Sequence, residues 1–506
     1  MNLVHELYRH RDPGSIVLIE PGGRSITTAQ AFDASQRLAM ALRELGIQRG
    51  DRVSFKLEKA PEVVFLAHAC LQLGAILHPL NTTYTDVEIG YLLDDAQTAL
   101  LICDPADSVR FSALARDGRR LETYAVNGGG TLGAQAARCR PHAEVIELED
   151  NATAAILYTS GTTGKPKGAQ ITHRNLAESA RALASVWQLG PADVLLHALP
   201  VYHAHGLLTS INTLWMSGGA ILFLPRFDAA EVIAALPSAT LMMGVPTHYA
   251  RLLREPAISE ALTPAFRLAI SGSAPLPQTL AAAFEAQTGR QIIERYGSTE
   301  AAIVTAVPAG TAGRSGWVGW PLPGVEVRVK TPAGSHASLA ATGTLETRGH
   351  NVFAGYWKNQ DADSEAFTAD GWFITGDIAQ IEDSGCVRLL GRAKDLIISG
   401  GLNIYPREVE AVLDSLPGVA ESAVFGAPHA DFGEAVVAAV ELKPGAAFDE
   451  AAALAALRTR LAAFKLPKRI LTTDAIPRNA MGKVLKGELR AKHRSLFVPW
   501  NATQQR

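Results

Sequence analysis

The residues best equipped for chemistry stand together in Thr159-Ser160-Gly161-Thr162-Thr163-Gly164-Lys165-Pro166-Lys167-Gly168. The glycines let the backbone curl so that N–H groups point inward, the hydroxyls add donors, and Lys165 and Lys167 add charge. Such a loop grips phosphate. It is not the Walker pattern, because Pro166 follows Gly164-Lys165 where Ser or Thr is required, and Thr159 stands where the first glycine should be. An ordinary polar turn accounts for the glycines and hydroxyls but leaves the lysines unexplained. Further small-residue turns carry polar groups downstream: Gly272-Ser273-Ala274, Arg295-Tyr296-Gly297-Ser298-Thr299-Glu300, and Asn479-Ala480-Met481-Gly482-Lys483. His203 and His205 sit in a Pro/Gly-bounded turn. With no third ligand pattern near them, His203 reads as the wall of a substrate pocket or as a packed side chain.

The elements that must hold these loops alternate. Ala154 to Tyr158 is a short apolar run, a buried strand that delivers the phosphate loop, and Thr172 or Asn175 caps the helix after it. Ala29, Phe32, Leu38, Ala39 and Leu42 share a helical face ahead of a strand at Arg52 to Leu57. Helix, turn and strand then recur over Val63 to Pro79 and Val87 to Cys103. This alternation predicts α/β layers with mostly parallel strands. The stretch from Gly128 to Asn151 is polar and reads as a surface excursion. Strands at Leu195 to His197, Ala220 to Leu224, Leu241 to Gly244, Leu268 to Ser271 and Gln291 to Glu294 end in Gly/Ser/Thr turns, which places one crevice at the carboxyl edge of a sheet.

After residue 320 the strands are shorter and point to a distorted barrel or small sheet. Gly391-Arg392-Ala393-Lys394-Asp395 breaks that pattern and marks a hinge, giving two units, 1–392 and 393–506. The second reads as compact α+β, with Val409, Val412, Leu413 and Leu416 on one helical face and an amphipathic helix over Ala451 to Phe464.

A chain of 506 residues is too long for one core. Its apolar fraction of 47%, charged fraction of 19% and net charge of −3 describe an ordinary soluble protein with no basic field for nucleic acid. Cys70, Cys103, Cys139 and Cys386 are scattered, without CxxC pairing, and fit a reducing cytoplasm better than a zinc or disulfide framework. Met1 to Arg11 has no apolar core of a signal peptide. The Val63–Leu80 run contains His68, Gln72, Gly74 and His78, so it reads as a buried helix and strand rather than a bilayer span.

Taken in order, Tyr158 to Gly168, Tyr296-Gly297-Ser298-Thr299-Glu300, Thr375-Gly376-Asp377, Gly391 to Asp395 and Pro477 to Lys483 resemble the adenylate-forming, or acyl-activating, enzymes across nearly the whole chain. That resemblance implies a large AMP-binding domain of α/β layers with a distorted β-barrel, joined by the hinge to a small mobile α+β domain. It implies ATP, Mg²⁺ and coenzyme A as reactants and cofactor. Thr159, Ser160, Gly161, Thr162, Thr163, Gly164, Lys165 and Lys167 would grip the ATP phosphates, with Thr162 and Glu300 on Mg²⁺. Gly272, Ser273, Ala274, Glu294, Arg295, Tyr296, Gly297 and Thr299 would frame the adenine side, and Asp377 and Arg392 the ribose. Lys483 would stabilise charge between the carboxylate and the α-phosphate, with Glu300, Thr162 and His203 as the other catalytic candidates. Lys394 matches the hinge. A swing about it would replace Lys483 with the segment around Gly400, Gly401, Leu402 and Asn403, where glycines let a pantetheine arm pass.

Within that family the residues from His197 to Gly206, Phe223 to Asp228, Met243 to Leu253, Ser271 to Leu276 and Ala427 to Glu434 are most similar to malonyl-CoA synthetases. A second carboxylate on the substrate demands a cation in the pocket. Arg251 is the first candidate and Arg295 the second, with His203 and Ser298 as pocket walls. Ser298 stands where malonate enzymes commonly carry Met, and Ala301-Ala302-Ile303-Val304 replaces polar residues, which suggests a roomier pocket with a greasier wall. Methylmalonate, another short dicarboxylate or a small monocarboxylate therefore stays open, as does a carrier-protein acceptor in place of free CoA. Oligomeric state, monomer or homodimer, is open. Partners are small molecules, with no nucleic acid and no membrane insertion. A nucleotide-binding scaffold without activity would have lost Lys483, Glu300 or Asp377, and all three are present.

Overall fold

The computed structural model describes residues 1–497 except Asp117, 160–165, Ser315, 400–401, Ala430 and 480–481. Two large sheets carry the chain up to Pro321. The nine-stranded sheet runs in the order Trp320–Pro321, Ala302–Ala306, Ile292–Ser298, Leu268–Ser271, Leu241–Gly244, Val194–His197, Ala220–Phe223, Ile16–Ile19 and Ser25–Thr27. Its six central strands, from Ile292–Ser298 to Ile16–Ile19, pair in parallel. They are apolar because both faces are covered. Their carboxyl ends share one edge, which delivers Phe223, His197, Gly244, Ser271 and the chain after them to a common crevice.

The six-stranded sheet has the order Arg120–Thr123, Leu100–Cys103, Arg52–Lys56, Ile76–Pro79, Thr153–Thr159 and Lys167–Thr172. The last pair is antiparallel, and Thr159 faces Lys167 across it. The phosphate loop is therefore the tip of a hairpin rather than a strand-to-helix turn. The helix His173–Val186 begins only after the second strand of that hairpin. There Thr172 and Asn175 form a reciprocal capping box, so both proposed caps are used.

The helix Pro61–Gln72 is buried along its whole length, with Pro61 pre-setting its first turn. Apolar residues all round such a helix mean enclosure, and the strand Ile76–Pro79 that follows it is buried too. Among the described residues no helix is long and apolar enough to cross a membrane. The polar stretch after Gly128 contains the helix Gly130–Arg138, whose Leu132 and Ala136 enter the core. The surface excursion expected there is thus in part a packed element: alanines and one leucine at helical spacing suffice when a neighbour covers them.

The barrel-like region is an antiparallel five-stranded sheet, His336–Ala337, Val325–Lys330, Ala341–Gly349, Phe373–Ile381 and Val387–Arg392. A short 3₁₀ turn, Ala393–Asp395, leads to a smaller sheet of Leu402–Ile404, Ile397–Ser399, Gly433–Leu442 and Val419–His429, with Arg469–Thr473 alongside Gly433–Leu442. The helices Pro406–Leu413, Glu450–Arg458 and Lys486–Lys492 pack on it around separate hydrophobic clusters. The amphipathic helix expected to reach Phe464 stops at Arg458, and Ala463–Lys465 forms its own 3₁₀ turn.

Candidate active site

The strand Ile292–Ser298 runs through most of the Arg295–Glu300 motif, which the sequence reading had assigned to a turn. The actual turn lies at Thr299 to Ala301, before the antiparallel strand Ala302–Ala306. Gly297 is required by that hairpin: a Cβ there would sit 1.8 Å from the Ala302 carbonyl oxygen. The Ser298 hydroxyl accepts the Ala301 N–H at 3.1 Å and so closes the turn. Ile303 and Val304 enter the main core, which removes the argument for a greasier pocket wall.

The turn holds Glu300 opposite the end of the other large sheet. Its carboxylate accepts from the Thr159 hydroxyl at 3.1 Å and the Tyr356 hydroxyl at 3.3 Å. The Lys167 ammonium stands over the Tyr356 ring at 5.4 Å. Thr159, Lys167 and Glu300 are thus brought together around Tyr356. Ser160, Gly161, Thr162, Thr163, Gly164 and Lys165 lie outside the described residues, as do Gly400 and Gly401.

Asp377 is buried and fixed from two sides. Arg392 Nε lies 2.8 Å from one carboxylate oxygen, and the Tyr296 hydroxyl donates to the other at 2.5 Å. Asp377 and Arg392 are direct cross-strand neighbours, so the pair is built into the register. Lys483 comes to this place from the small unit. It is solvent-accessible but crowded, and its ammonium is held below the ordinary lysine value. Surrounding protein is the first cause; Arg392 and Lys394 add to it, while Asp377 and Asp395 oppose it. Gly482 touches Thr247, where an added Cβ would meet the side chain at 3.1 Å. Gly482 is therefore seated against Thr247 of the large unit. Lys394 itself is exposed in the 3₁₀ turn.

The crevice between Asp377 and the sheet edge holds a concentration of nitrogen bases. Arg295 is buried, its Nε and Nη2 have no hydrogen-bond partner among the described residues, and burial pushes its pKa down to about 10. Its guanidinium lies flat on Gly272, where a Cβ would come within 2.4 Å of Nε. That contact explains the glycine. Ser273 adopts a left-handed backbone at φ 65° and its Oγ lies 3.1 Å from His205 Nδ1, while Ala274 is partly exposed beside it. His205 Nε2 is unpaired, as are Nδ1 of His197 and Nδ1 of His248. His203 accepts the His205 N–H at 3.2 Å. Burial, and then the Arg295 charge, push its pKa down to about 4, so its imidazole is neutral. A cavity lined by His78, Asn81, Tyr84, Tyr202, His203 and Thr299 opens next to it.

Sequence reasoning missed Lys59. Its ammonium donates to the His197 carbonyl at 2.8 Å and stands over the Phe223 ring at 4.4 Å, with no carboxylate partner. Burial holds it well below the usual lysine range. No motif marks it, but it follows a parallel strand at its carboxyl end, the edge where ligand residues collect. His205 was seen only as half of a histidine pair. Its contact with Ser273 joins two loops 68 positions apart and leaves no local signal. Arg251, the first candidate for a second carboxylate, is exposed on the helix Pro246–Leu252, whereas Arg295 is enclosed. Helix-face geometry decides this: the inward positions of that helix go to Tyr249 and Leu252.

The description "AMP-binding enzyme" fits residues 7–357, and "AMP-binding enzyme C-terminal domain" fits residues 408–483. The chain belongs to the AMP-binding enzyme family. It is 36% identical over 479 residues to a feruloyl-CoA synthase of Amycolatopsis sp, covering 94% of this chain and 95% of that one. It is 34% identical over 521 residues to the mitochondrial malonate–CoA ligase of Mus musculus, covering 94% and 88%. Among solved structures it superposes on ATP-bound MatB from Rhodopseudomonas palustris with a TM-score of 0.95 at 41% identity, over 98% of this chain and 100% of that one. Against the apo form of the same protein the TM-score is 0.86. An adenylate-forming acyl-CoA ligase that uses ATP and CoA is thus the class of this AMP-binding enzyme.

Proposed function

We propose that this AMP-binding enzyme is an AMP-forming CoA ligase for malonate or a close relative such as methylmalonate. The observation that carries this is Arg295, a buried guanidinium whose Nε and Nη2 have no partner among the described residues and whose charge bears on His203 and His205. A buried cation without a counterion is costly, and a substrate carboxylate cancels that cost through paired hydrogen bonds. Malonate–CoA ligases among the relatives support the reading. Arg251, being exposed, is set aside as the anchor.

In this reading one carboxylate of the acid pairs with Arg295 and the other points toward the nucleotide. Its oxygen attacks the α-phosphorus of ATP and pyrophosphate leaves. The thiol sulfur of CoA then attacks the acyl carbon, AMP leaves, and the thiol proton is lost. Lys483 places its charge between the two reacting anions in the first step, an effect typically worth roughly 10²–10³ in rate. Asp377 accepts hydrogen bonds from the ribose hydroxyls, held in place by Arg392 and Tyr296. Thr159 and Lys167 serve the phosphates. Neutral His203 lines the cavity through which the thiol arm reaches the acyl group.

The Glu300 carboxylate is a hard oxygen donor of the kind Mg²⁺ takes, and its fit rests on its place beside Thr159. Bound there with Thr162, Mg²⁺ supplies neutralisation of phosphate charge. The units 1–392 and 393–506 move about Lys394, so that Lys483 serves the first step and leaves for the second.

A pyrophosphate-release screen with ATP, Mg²⁺ and CoA across C2 to C8 mono- and dicarboxylates tests the assignment. Malonate or methylmalonate should exceed acetate and butyrate by at least about tenfold, the discrimination a site built to pair a charged group provides. A preference for any monocarboxylate would overturn it.

A further inference from the structure

We propose that Asp95 is a positioning residue for the phosphate hairpin: it ties both hairpin strands to the end of one helix and so sets where Thr159 and Lys167 stand relative to Glu300. This role rests on the proposed reading of the hairpin as the grip on the ATP phosphates.

The helix Asp86–Asp95 opens on a reciprocal capping box between Thr85 and Glu88. Tyr91 and Asp95, four positions apart, share one of its faces. That face meets the hairpin twice. The Tyr158 hydroxyl, one residue before Thr159, donates to Asp95 Oδ2 at 2.5 Å, and the Tyr91 hydroxyl donates to the Pro166 carbonyl, one residue before Lys167, at 3.3 Å. Burial and then Asp95 push the Tyr158 phenol well above its ordinary range, so it stays a donor.

A further contact reaches the second strand from its outer edge. The Asp95 carbonyl accepts the Trp357 indole N–H at 3.1 Å, and the Trp357 backbone N–H donates to the Gly168 carbonyl at 2.7 Å. A Cβ at Gly168 would come within 3.2 Å of Tyr158 Cζ and 3.5 Å of Trp357 Cβ, so the two aromatic residues that bond Asp95 also meet over this glycine. Beside them Tyr356 pairs with Ala169 across the strand edge and sends its hydroxyl to Glu300 at 3.3 Å. Backbone strain marks the same junction. Gln97 and Lys358 both hold left-handed backbone, at φ 52° and 48°, and Lys358 Nζ donates to Gln97 Oε1 at 2.5 Å. Side chains of these types adopt that conformation where the contacts around them impose it.

An exposed carboxylate at a helix end is ordinarily a solvated charge. Asp95 is exposed, yet its carboxylate holds one strand of the hairpin and its carbonyl holds, through Trp357, the other. It touches no reacting atom in this account and acts through the position of the hairpin.

Hydrogen exchange on the full chain follows the hairpin with no assumption about the reaction. Tyr158→Phe and Asp95→Ala should each raise exchange by about fivefold at the strand ends near Thr159 and Lys167, the change expected when one hydrogen bond of ordinary net strength is lost. The opposite ends, at Thr153 and Thr172, should stay within about twofold of native. Combining the two substitutions should add little, because both remove the same bond. Asp95→Asn keeps an acceptor oxygen and should restore most of the protection. With ATP, Mg²⁺, CoA and an accepted acid, Tyr158→Phe and Asp95→Ala should raise the KM for ATP by a similar factor and leave the KM for the acid and for CoA within about twofold.

Unchanged exchange at Thr159 and Lys167 in both variants overturns the proposal. So does a uniform rise along both strands, or an equal change in KM for all three substrates, either of which would make Asp95 a general stabiliser. Should no acid support turnover even in the native chain, the ligase reading falls, while the exchange pattern still decides whether Asp95 holds the hairpin.

Discussion

Replacing Arg295 by Leu is the sharpest test of how this enzyme chooses its acid. In the native pocket the guanidinium is stripped of water, lies against Gly272, and leaves Nε and Nη2 free for a bidentate carboxylate. Truncating one partner of a buried charge pair costs about 2–5 kcal/mol. At about 1.4 kcal/mol per decade, kcat/KM for malonate should fall roughly 30- to 4000-fold. Acetate and butyrate have no second carboxylate to lose. Their kcat/KM should hold or rise, because the variant no longer buries an unpaired cation beside an apolar chain. Arg295→Lys keeps the charge but not the fork and should fall between the two.

The assay is CoA consumption with each acid at saturating ATP. Arg251→Ala is the internal control: an exposed arginine should change malonate activity by less than about fivefold. Equal losses for malonate, acetate and butyrate in Arg295→Leu would refute the pairing and make Arg295 a structural element of the crevice. A large malonate-specific loss in Arg251→Ala would refute the choice between the arginines.

Gly272→Ala should mimic the Arg295 variants with malonate, because the new methyl would stand within 2.4 Å of the guanidinium and displace it; full malonate selectivity in this variant would contradict the packing. Lys483→Ala should lower adenylate formation roughly 10²–10³-fold and spare CoA acylation from preformed acyl-adenylate, measured separately. Glu294 gives a pH signature. Burial raises its pKa from 4.5 to about 7, so the folded state holds a proton that the unfolded state releases between those values. Stability therefore falls as pH rises through that window, by a total on the order of 3 kcal/mol. Glu294→Gln should match the native melting temperature near pH 4.5 and exceed it above pH 7; a constant difference would exclude the carboxyl as its source. His203, at about 4, should contribute no limb to kcat/KM between pH 5 and 8, which a His203→Asn comparison of pH profiles checks.

The sheet that positions the site could be read in the residues because its parallel strands are short apolar runs closed by small-residue turns, and that pattern is local. The same logic placed Gly272 and Glu300 on one edge, whereas Asp377, on a strand of the antiparallel sheet, is marked only by the family resemblance. It failed where function depends on direction rather than spacing. Arg251 and Arg295 are both arginines beside apolar residues, and only the helix phase of one and the strand register of the other separate them. Lys59 was invisible for a related reason. It meets the His197 carbonyl across a junction between two sheets, where neighbours in space are distant in sequence.

The two ends of the crevice carry opposite charge deficits, which bears on why, in the proposed mechanism, the catalytic lysine is carried on the small unit. Toward the proposed acyl end stand Arg295 and Lys59, with histidine nitrogens near them and, among the described residues, no carboxylate paired with either cation. Toward the proposed nucleotide end stand Glu294, Glu300 and Asp377, of which, among the described residues, only Asp377 has an ion pair. A dicarboxylate entering the first end and a polyphosphate entering the second bring like charges together where bonds must form. A cation there is disfavoured first by the surrounding protein and then by the like charge of Arg392 and Lys394, against the opposing pull of Asp377 and Asp395, and the Lys483 ammonium is held below the ordinary lysine value. In the proposed mechanism Lys483, carried on the small unit, would be held there by the anions when they are present. Once pyrophosphate had left, part of that attraction would be gone, so departure of the leaving group itself would favour reopening for the thiol.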